Sequence, residues 1–431
     1  MKGGLPFIPL PVIILFRLEP AVRRNLLFLF CTALCFWLSL TSLLPVLPLY
    51  IEATGATSGQ VGLVMGSFAI GLLLTRGVLG RWSDERSRKL VVQIGTVVAG
   101  LAPFGYLFLT ALPMLVAIRA IHGLSIAGLT TGYSTLVIDL APPDKRGEIL
   151  GYMTLAVPMG MAMGPALGGF LGETYGFGMV FILSGILGFL AFLFASQVED
   201  GTTKPQSLTA SAPPLSLWDW LGLDRLWILA QGPRLRIPAL VLLLVGMAFG
   251  ALTTFIPAYI RDSGAGLNVG LFYTAIALSS FSVRIFTGRA SDRLGRGLFI
   301  TGSLLAYLIS MILLAKASSG VIFLLAGLAE GAGAGTLIPM MTALVADRSL
   351  PNERGQVYSV CLGGFDLGIA LGGPVAGSLL PQLSYGGVFA GAAVLVLLAL
   401  LIFMTLSSQD MGHSFRFATG RGRDVYAQDG A

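Results

Sequence analysis

The sequence predicts an all-α membrane protein, with twelve transmembrane helices arranged as two pseudo-symmetric six-helix bundles. Three observations carry that expectation. Hydrophobic residues make up 55% of the 431 and charged ones only 11%, with a mean hydropathy of +0.84; a water-soluble domain has no means of hiding so much apolar surface. A knot of charge, Gly80-Arg-Trp-Ser-Asp84-Glu-Arg-Ser-Arg88-Lys89, returns 208 positions later as Gly288-Arg-Ala-Ser-Asp292-Arg-Leu-Gly-Arg296. The cationic residues fall almost entirely in alternate loops.

In chain order, residues 1–24 form an N-terminal arm. Its apolar run at 5–16 is broken by Pro6, Pro9 and Pro11 and is too short to span. Arg17 and Glu19 follow in place of a small-residue cleavage site, so the arm reads as uncleaved and interfacial. Stretches of about 20 apolar residues, enough to cross roughly 30 Å of hydrocarbon, lie near 25–50, 60–80, 91–111, 112–138, 149–172 and 177–197, then 237–260, 268–288, 298–316, 320–345, 357–381 and 386–406. The first six make an N-terminal bundle (25–197) and the last six a C-terminal bundle (237–406). Residues 198–236 join them: 202–214 are rich in Ser, Thr and Pro, as in a flexible linker. The stretch that follows holds Trp218, Trp220 and Trp227, fitting a short helix that either lies on the membrane surface or packs on the bundle end. The polar, glycine-rich tail 407–431 is expected to be disordered.

Charge sets orientation. Of 27 Lys and Arg, 24 lie in the arm, the tail, or the loops and helix ends after spans 2, 4, 6, 8 and 10; only Arg261 and Lys316 lie in the opposite loops and Arg119 within a span. The positive-inside rule then places both termini and the central loop in the cytoplasm of a multi-pass plasma (inner) membrane protein. The net charge of +6 reports topology, and no nucleic-acid partner is expected. Cys31, Cys35 and Cys361 all sit in apolar runs, which gives no disulfide framework. Although Cys31 and Cys35 share a helical face, they read as small packing residues, so no metal is expected. Without a Gly-x-x-x-x-Gly-Lys-Ser/Thr loop no nucleotide cofactor is expected, and energy comes from an ion or substrate gradient. No enzymatic chemistry is foreseen.

The repeat runs beyond the knot: Arg76 matches Arg284, Gly123 matches Gly331, Asp139 matches Asp347, and Arg146 matches Arg354, all 208 apart, while Tyr50-Ile51 matches Tyr259-Ile260 at 209. A repeat of this length is a duplicated bundle. Over residues 25–406 the chain resembles the major facilitator superfamily. Gly80, Asp84, Arg88 and Lys89 fit its motif A, and Gly288, Asp292 and Arg296 form the second copy. Ser87 stands where the family favours the glycine that the second copy keeps as Gly295. The resemblance implies that Asp84 and Asp292 gate, with Asp84 contacting the other half in the outward-facing state, and that Arg88 and Asp139 form a charge relay. The residues alone also allow a topological role. Asp139 with Arg146, and Asp347 with Arg354, read as structural brackets.

Span 4 carries Arg119-Ala-Ile-His122-Gly123-Leu-Ser-Ile-Ala127, which resembles motif B. An arginine inside a span is costly unless it faces the interior or a partner. His122, three residues on, shares its face, as a packing residue or a proton carrier. The offset brings Glu330 of span 10 to position 122. In the resembling fold spans 1, 4, 7 and 10 line the central cavity, so Arg119, His122 and Glu330 are the candidates for proton coupling. Burial disfavours an ionised Glu330 or Asp366, and a neighbouring Arg119 would favour it. Asp366 serves either as a coupler or as a bond across helices.

Span 5 reads Gly160-Met-Ala-Met-Gly164-Pro165-Ala-Leu-Gly168-Gly169, and span 11 answers with Gly372-Gly373-Pro374-Val-Ala-Gly377. Such glycines permit close helix approach and the prolines bend the helix where the halves meet. The first run resembles motif C, which implies an exporter working as an antiporter. The resulting expectation is a proton-coupled efflux carrier of a small organic molecule, working by alternating access as a monomer in the lipid bilayer, with protons as its second partner. Uptake by symport or facilitated diffusion of a sugar or organic ion, and a non-transporting sensor or assembly factor, are the alternatives.

Overall fold

The computed structural model describes residues 18–142, 145–199, 233–349 and 354–427. The proline-broken arm at 5–16 and the tryptophan-rich stretch of the linker lie outside them. Among the described residues, twelve helices are long and apolar enough to cross a membrane. Span 1 runs Pro20–Ala53 and breaks after Ser42, ahead of Pro45 and Pro48; span 5 runs Arg146–Tyr175 and breaks between Met153 and Ala156. The other edges lie within several residues of their sequence expectations.

Local chemistry starts several of these helices. Thr57 and Gln60 form a reciprocal capping box at the head of span 2, and the Asn268 side chain accepts from Gly270 N (2.7 Å) at the head of span 8. The two charged turns are built differently. Ser87 keeps an extended backbone, and its hydroxyl accepts from Leu90 N at 3.1 Å. Gly295 turns with φ +87°, a conformation only glycine takes freely. Serine in the first copy therefore costs no strain, because its turn is made by a cap.

Packing repeats under the pseudo-two-fold. Span 1 packs on 5 and 6, span 2 on 4, and span 3 on 4 and 6; spans 7 to 12 repeat each pairing. Two seams join the halves, span 2 against 11 and span 5 against 8. A Cβ on Gly62 would sit 2.2 Å from Gly373 O, one on Gly377 would sit 2.3 Å from Ser58 O, and one on Gly169 would sit 2.8 Å from Gly270 N. All these contacts lie toward the end of the bundle opposite the basic loops. There Arg261 pairs with Glu52 of the other half at 3.0 Å, and Tyr385 donates to Asp262 at 3.0 Å. Toward the basic end, nothing lies within 4 Å of where a Cβ of Gly77 would stand, and Gly80 meets only Thr131 of its own half. The halves are closed at the far end, and the seam of spans 2 and 11 runs on to Arg76 and Asp366.

The tail departs from the sequence expectation. Instead of being disordered, it forms a helix at Met411–Ala418 and continues folded to residue 427. Its anchor is Arg348, wholly buried, which donates to Asp424 at 2.7 and 3.0 Å and to the carbonyls of Arg234 and Ser407 at 2.9 and 2.8 Å. Composition hid this, because the partners that hold the tail lie on the bundle: besides Arg348, Thr301 donates to Ala418 O, and Phe417 is buried.

Gly62→Val must force spans 2 and 11 apart. In a cysteine-free background, spin labels at Ala53 and Ser263 should move to longer separations than in wild type. An unchanged distance distribution would show that the seam does not depend on glycine approach.

Candidate functional site

Each half buries one titratable cluster between matched spans. In the N-terminal half, spans 2, 3 and 4 bring together Phe68, Tyr106, Arg119 and His122. The Arg119 guanidinium lies over the Phe68 ring at 4.3 Å, and Tyr106 Oη is 3.2 Å from His122 Nδ1. Arg119 is close enough to both Tyr106 and His122 for its charge to act on them. His122 has no exposed surface, and neither its Nε2 nor the Nε and Nη1 of Arg119 has a hydrogen-bond partner among the described residues.

In the C-terminal half, spans 8, 9 and 10 enclose Glu330 between Tyr273 and Tyr307. Glu330 is fully buried, both carboxyl oxygens lack a hydrogen-bond partner among the described residues, and so does the Tyr273 hydroxyl. Tyr307 packs against the backbone at Gly333, one turn beyond the acid, where a Cβ would meet its ring at 2.6 Å. A carboxyl without donors, cut off from water, is cheapest as the neutral acid.

The sequence expectation put Arg119, His122 and Glu330 in one cavity, whereas the structure encloses them separately. The offset that aligns 122 with 330 is itself the reason. Residues matched by a pseudo-two-fold lie in opposite halves, and here both point into their own bundle.

Asp366 meets a residue that the sequence reading left out of the site. Arg76 Nη1 of span 2 stands 2.9 Å from Asp366 Oδ2 of span 11, across the seam between the halves. The oxygen accepts no aligned hydrogen bond, so the contact is charge on charge. The signal that could have found it was Arg76, an arginine inside the apolar end of span 2 that the repeat matches to Arg284. Its repeat partner Arg284 has no such acid among the described residues: its Nε donates to Gly335 O at 3.2 Å, and Pro158 occupies the position matching Asp366.

The other expected residues distribute as follows. Arg88 is ion-paired with Asp139, and Arg296 with Asp347, so both copies of the relay are assembled. The expected bracket from Asp139 to Arg146 is absent: Arg88 holds the acid, while Arg146 is exposed. Asp347 is likewise held by Arg296. Asp84, Gly288, Asp292 and Arg354 fall outside the residues whose side chains are described, and Lys89 is half-buried. Gly160, Gly164 and Gly168 face span 1, with Cβ positions 2.4 Å from Trp37 Cβ, 2.0 Å from Thr41 Oγ1 and 1.9 Å from Ser42 O. Gly169 and the Pro165 carbonyl face span 8, while Gly373 and Pro374 face span 2. Each glycine-proline run thus has one face for its own half and one for the seam.

Among known proteins, the family model described as Major Facilitator Superfamily matches residues 29–315 and 239–414. The chain is 24% identical over 379 residues to a multi-drug resistance efflux pump PmrA homolog of Lactococcus lactis, covering 85% of this chain and 91% of the relative. It is 26% identical over 381 residues to the multi-drug resistance efflux pump PmrA of Streptococcus pneumoniae, covering 85% and 93%. The fold is similar to that of the nucleoside transporter NupG, with a TM-score of 0.74 at 16% identity over 88% of this chain and 99% of that one.

Breaking the Arg76–Asp366 pair from one side leaves a largely buried charge uncompensated, at a cost on the order of 3 kcal/mol. Asp366→Asn should lower the melting temperature clearly, and the double change Arg76→Met with Asp366→Leu should recover most of the loss. A loss for Asp366→Asn no larger than that of an exposed pair would show that water reaches these groups.

Proposed function

We propose that this chain, which belongs to the Major Facilitator Superfamily, is a proton-coupled exporter of small organic molecules. Membership and the twelve apolar helices make it a multi-pass membrane transporter for a small-molecule substrate; direction, coupling ion and orientation are the proposal. The basic loops favour a cytoplasmic location for the terminal end in a plasma membrane, so the close contacts at the far end correspond to a carrier shut on its outer side. Efflux is supported by the relatives, which are named as multi-drug efflux pumps.

The observation that carries proton coupling is Glu330, buried and without a donor inside the C-terminal half. In this environment ionisation requires spans 8, 9 and 10 to admit water or a cation, so loss of the proton is linked to a change in that half, and the linkage is reciprocal. The matched cluster at Arg119 and His122 supplies the opposite preference, since a second positive charge beside Arg119 is disfavoured. A proton bound from outside would favour one packing of the C-terminal half and its release inside the other, while substrate takes the space between the halves. Arg76–Asp366, lying on the seam, would be made and broken as the halves rock. One chain carries every part of this cycle, consistent with a working monomer.

In everted vesicles holding an imposed pH gradient, a transported compound from a panel of cationic, anionic and neutral drugs should collapse the gradient with wild type and fail to do so with Glu330→Gln. If Glu330→Gln, present and folded, dissipates the gradient as wild type does, the coupling assignment fails. If no compound acts with either protein while net movement down a substrate gradient persists, the transporter is a facilitative carrier.

A further inference from the structure

The folded tail encloses a cavity that the transport cycle does not use. Phe417 is buried, packs at a tilt against Phe403 with centroids 6.0 Å apart, and lies under the Arg348 guanidinium at 5.7 Å. Thr301 Oγ1 donates to Ala418 O at 2.9 Å, and the chain presses Phe417 O onto Gly297, where a Cβ would meet it at 2.2 Å. Held in this way against spans 9 and 12, the tail leaves a cavity of about 800 Å³ between itself and the second charged turn.

The charges on its wall do not cancel. Arg296, Arg421, Arg423, Asp347 and Asp424 line it. Asp347 is held by Arg296, and Asp424 is held from behind by the buried Arg348. Arg421 and Arg423 remain, both exposed and with no acid partner among the described residues. Arg416, on the preceding helix, is in the same condition, since Asp410 is taken up by His413 at 2.6 Å. Beside these cations the surface is apolar: Leu294 of the cavity wall and Met411 and Phe415 of the tail helix are all at least half exposed. Unpaired arginines over a cavity, flanked by exposed apolar side chains where the spans leave the hydrocarbon, match the two parts of a lipid.

We infer that this cavity binds the phosphate headgroup of an anionic phospholipid, with Arg421 and Arg423 taking the phosphate and Leu294, Met411 and Phe415 receiving the acyl chains. The inference rests on the reading of the basic end as cytoplasmic, because that leaflet would supply the lipid. The bound headgroup would tie the tail to the Arg296–Asp347 pair of the second charged turn, so that lipid occupancy favours the docked tail.

The test needs no transport activity, so its failure is separable from that of the proposed function. Full-length protein purified in detergent is titrated with phosphatidylglycerol, phosphatidylcholine or soluble glycerol 3-phosphate, reading lipid retention by native mass spectrometry and the melting temperature. Phosphatidylglycerol should be retained and stabilising, and the double variant Arg421→Gln, Arg423→Gln should weaken its retention by about 30-fold. Arg236→Gln, an exposed cation at the same end but outside the cavity, should not. Equal retention of phosphatidylcholine by wild type overturns the proposal, and this comparison stands even if the double variant folds poorly. Equal stabilisation by glycerol 3-phosphate makes this a site for soluble anions and also overturns it, as does undiminished phosphatidylglycerol binding by a folded double variant.

Discussion

Close backbone approach at glycine is the constraint on which the rest of this structure depends. In lipid, two apolar helix faces gain little by meeting, because the tails they displace are as apolar as they are; association must come from tight van der Waals contact and polar bonds. Gly62 against Gly373, Gly377 against Ser58 and Gly169 against Gly270 leave no room for a Cβ. The same economy operates within each half, where Gly160, Gly164 and Gly168 admit span 1 and Thr41 Oγ1 donates to Gly160 O at 2.9 Å. These contacts hold the halves together at one end, and they are set by where glycine stands in the seam helices.

Charge is placed on top of that packing, and unevenly. The two seams share a backbone arrangement, yet the seam of spans 2 and 11 holds Arg76 against Asp366, while the repeat partner Arg284 turns to a carbonyl of span 10 in its own half. Arg76 and Asp366 can separate only if water or other groups replace the partner each loses, because a lone charge in this environment is expensive. Motion at one seam is thereby coupled to hydration, while at the other it is chiefly a matter of steric fit. The buried clusters follow the same division, basic groups in one half and a carboxyl in the other.

Much of this was legible in the sequence because membrane chains declare their elements. Apolar runs of spanning length, the 208-residue repeat and the alternating loop charge each have a direct physical cause, and all twelve spans appear where those causes put them. Arg88–Asp139 was foreseen through the family resemblance, whereas Arg296–Asp347 was not, because the spacing had paired Asp347 with Arg354. What sequence did not disclose depended on helix rotation. His122 and Glu330 were placed correctly along their spans, yet whether they face the space between the halves or their own bundle is an angle about the helix axis that spacing alone does not supply. Arg76–Asp366 joins residues 290 apart whose meeting depends on the seam. The tail was misjudged because the groups that hold it lie outside it, Arg348, Thr301 and Phe403 among them, and are brought together only by the surrounding helices.

The ion pair between Glu52 and Arg261 has a consequence for the history of the molecule. The two residues occupy matched places in the two repeats, 209 apart beside Tyr50 and Tyr259, and they face each other across the pseudo-axis. In a dimer of two identical halves, whichever residue stood there would face a copy of itself, carboxylate against carboxylate or guanidinium against guanidinium. The attraction seen here is therefore available only to a fused, diverged pair. It makes the two halves each other's proper partner, and it disfavours any assembly in which one half pairs with its own kind.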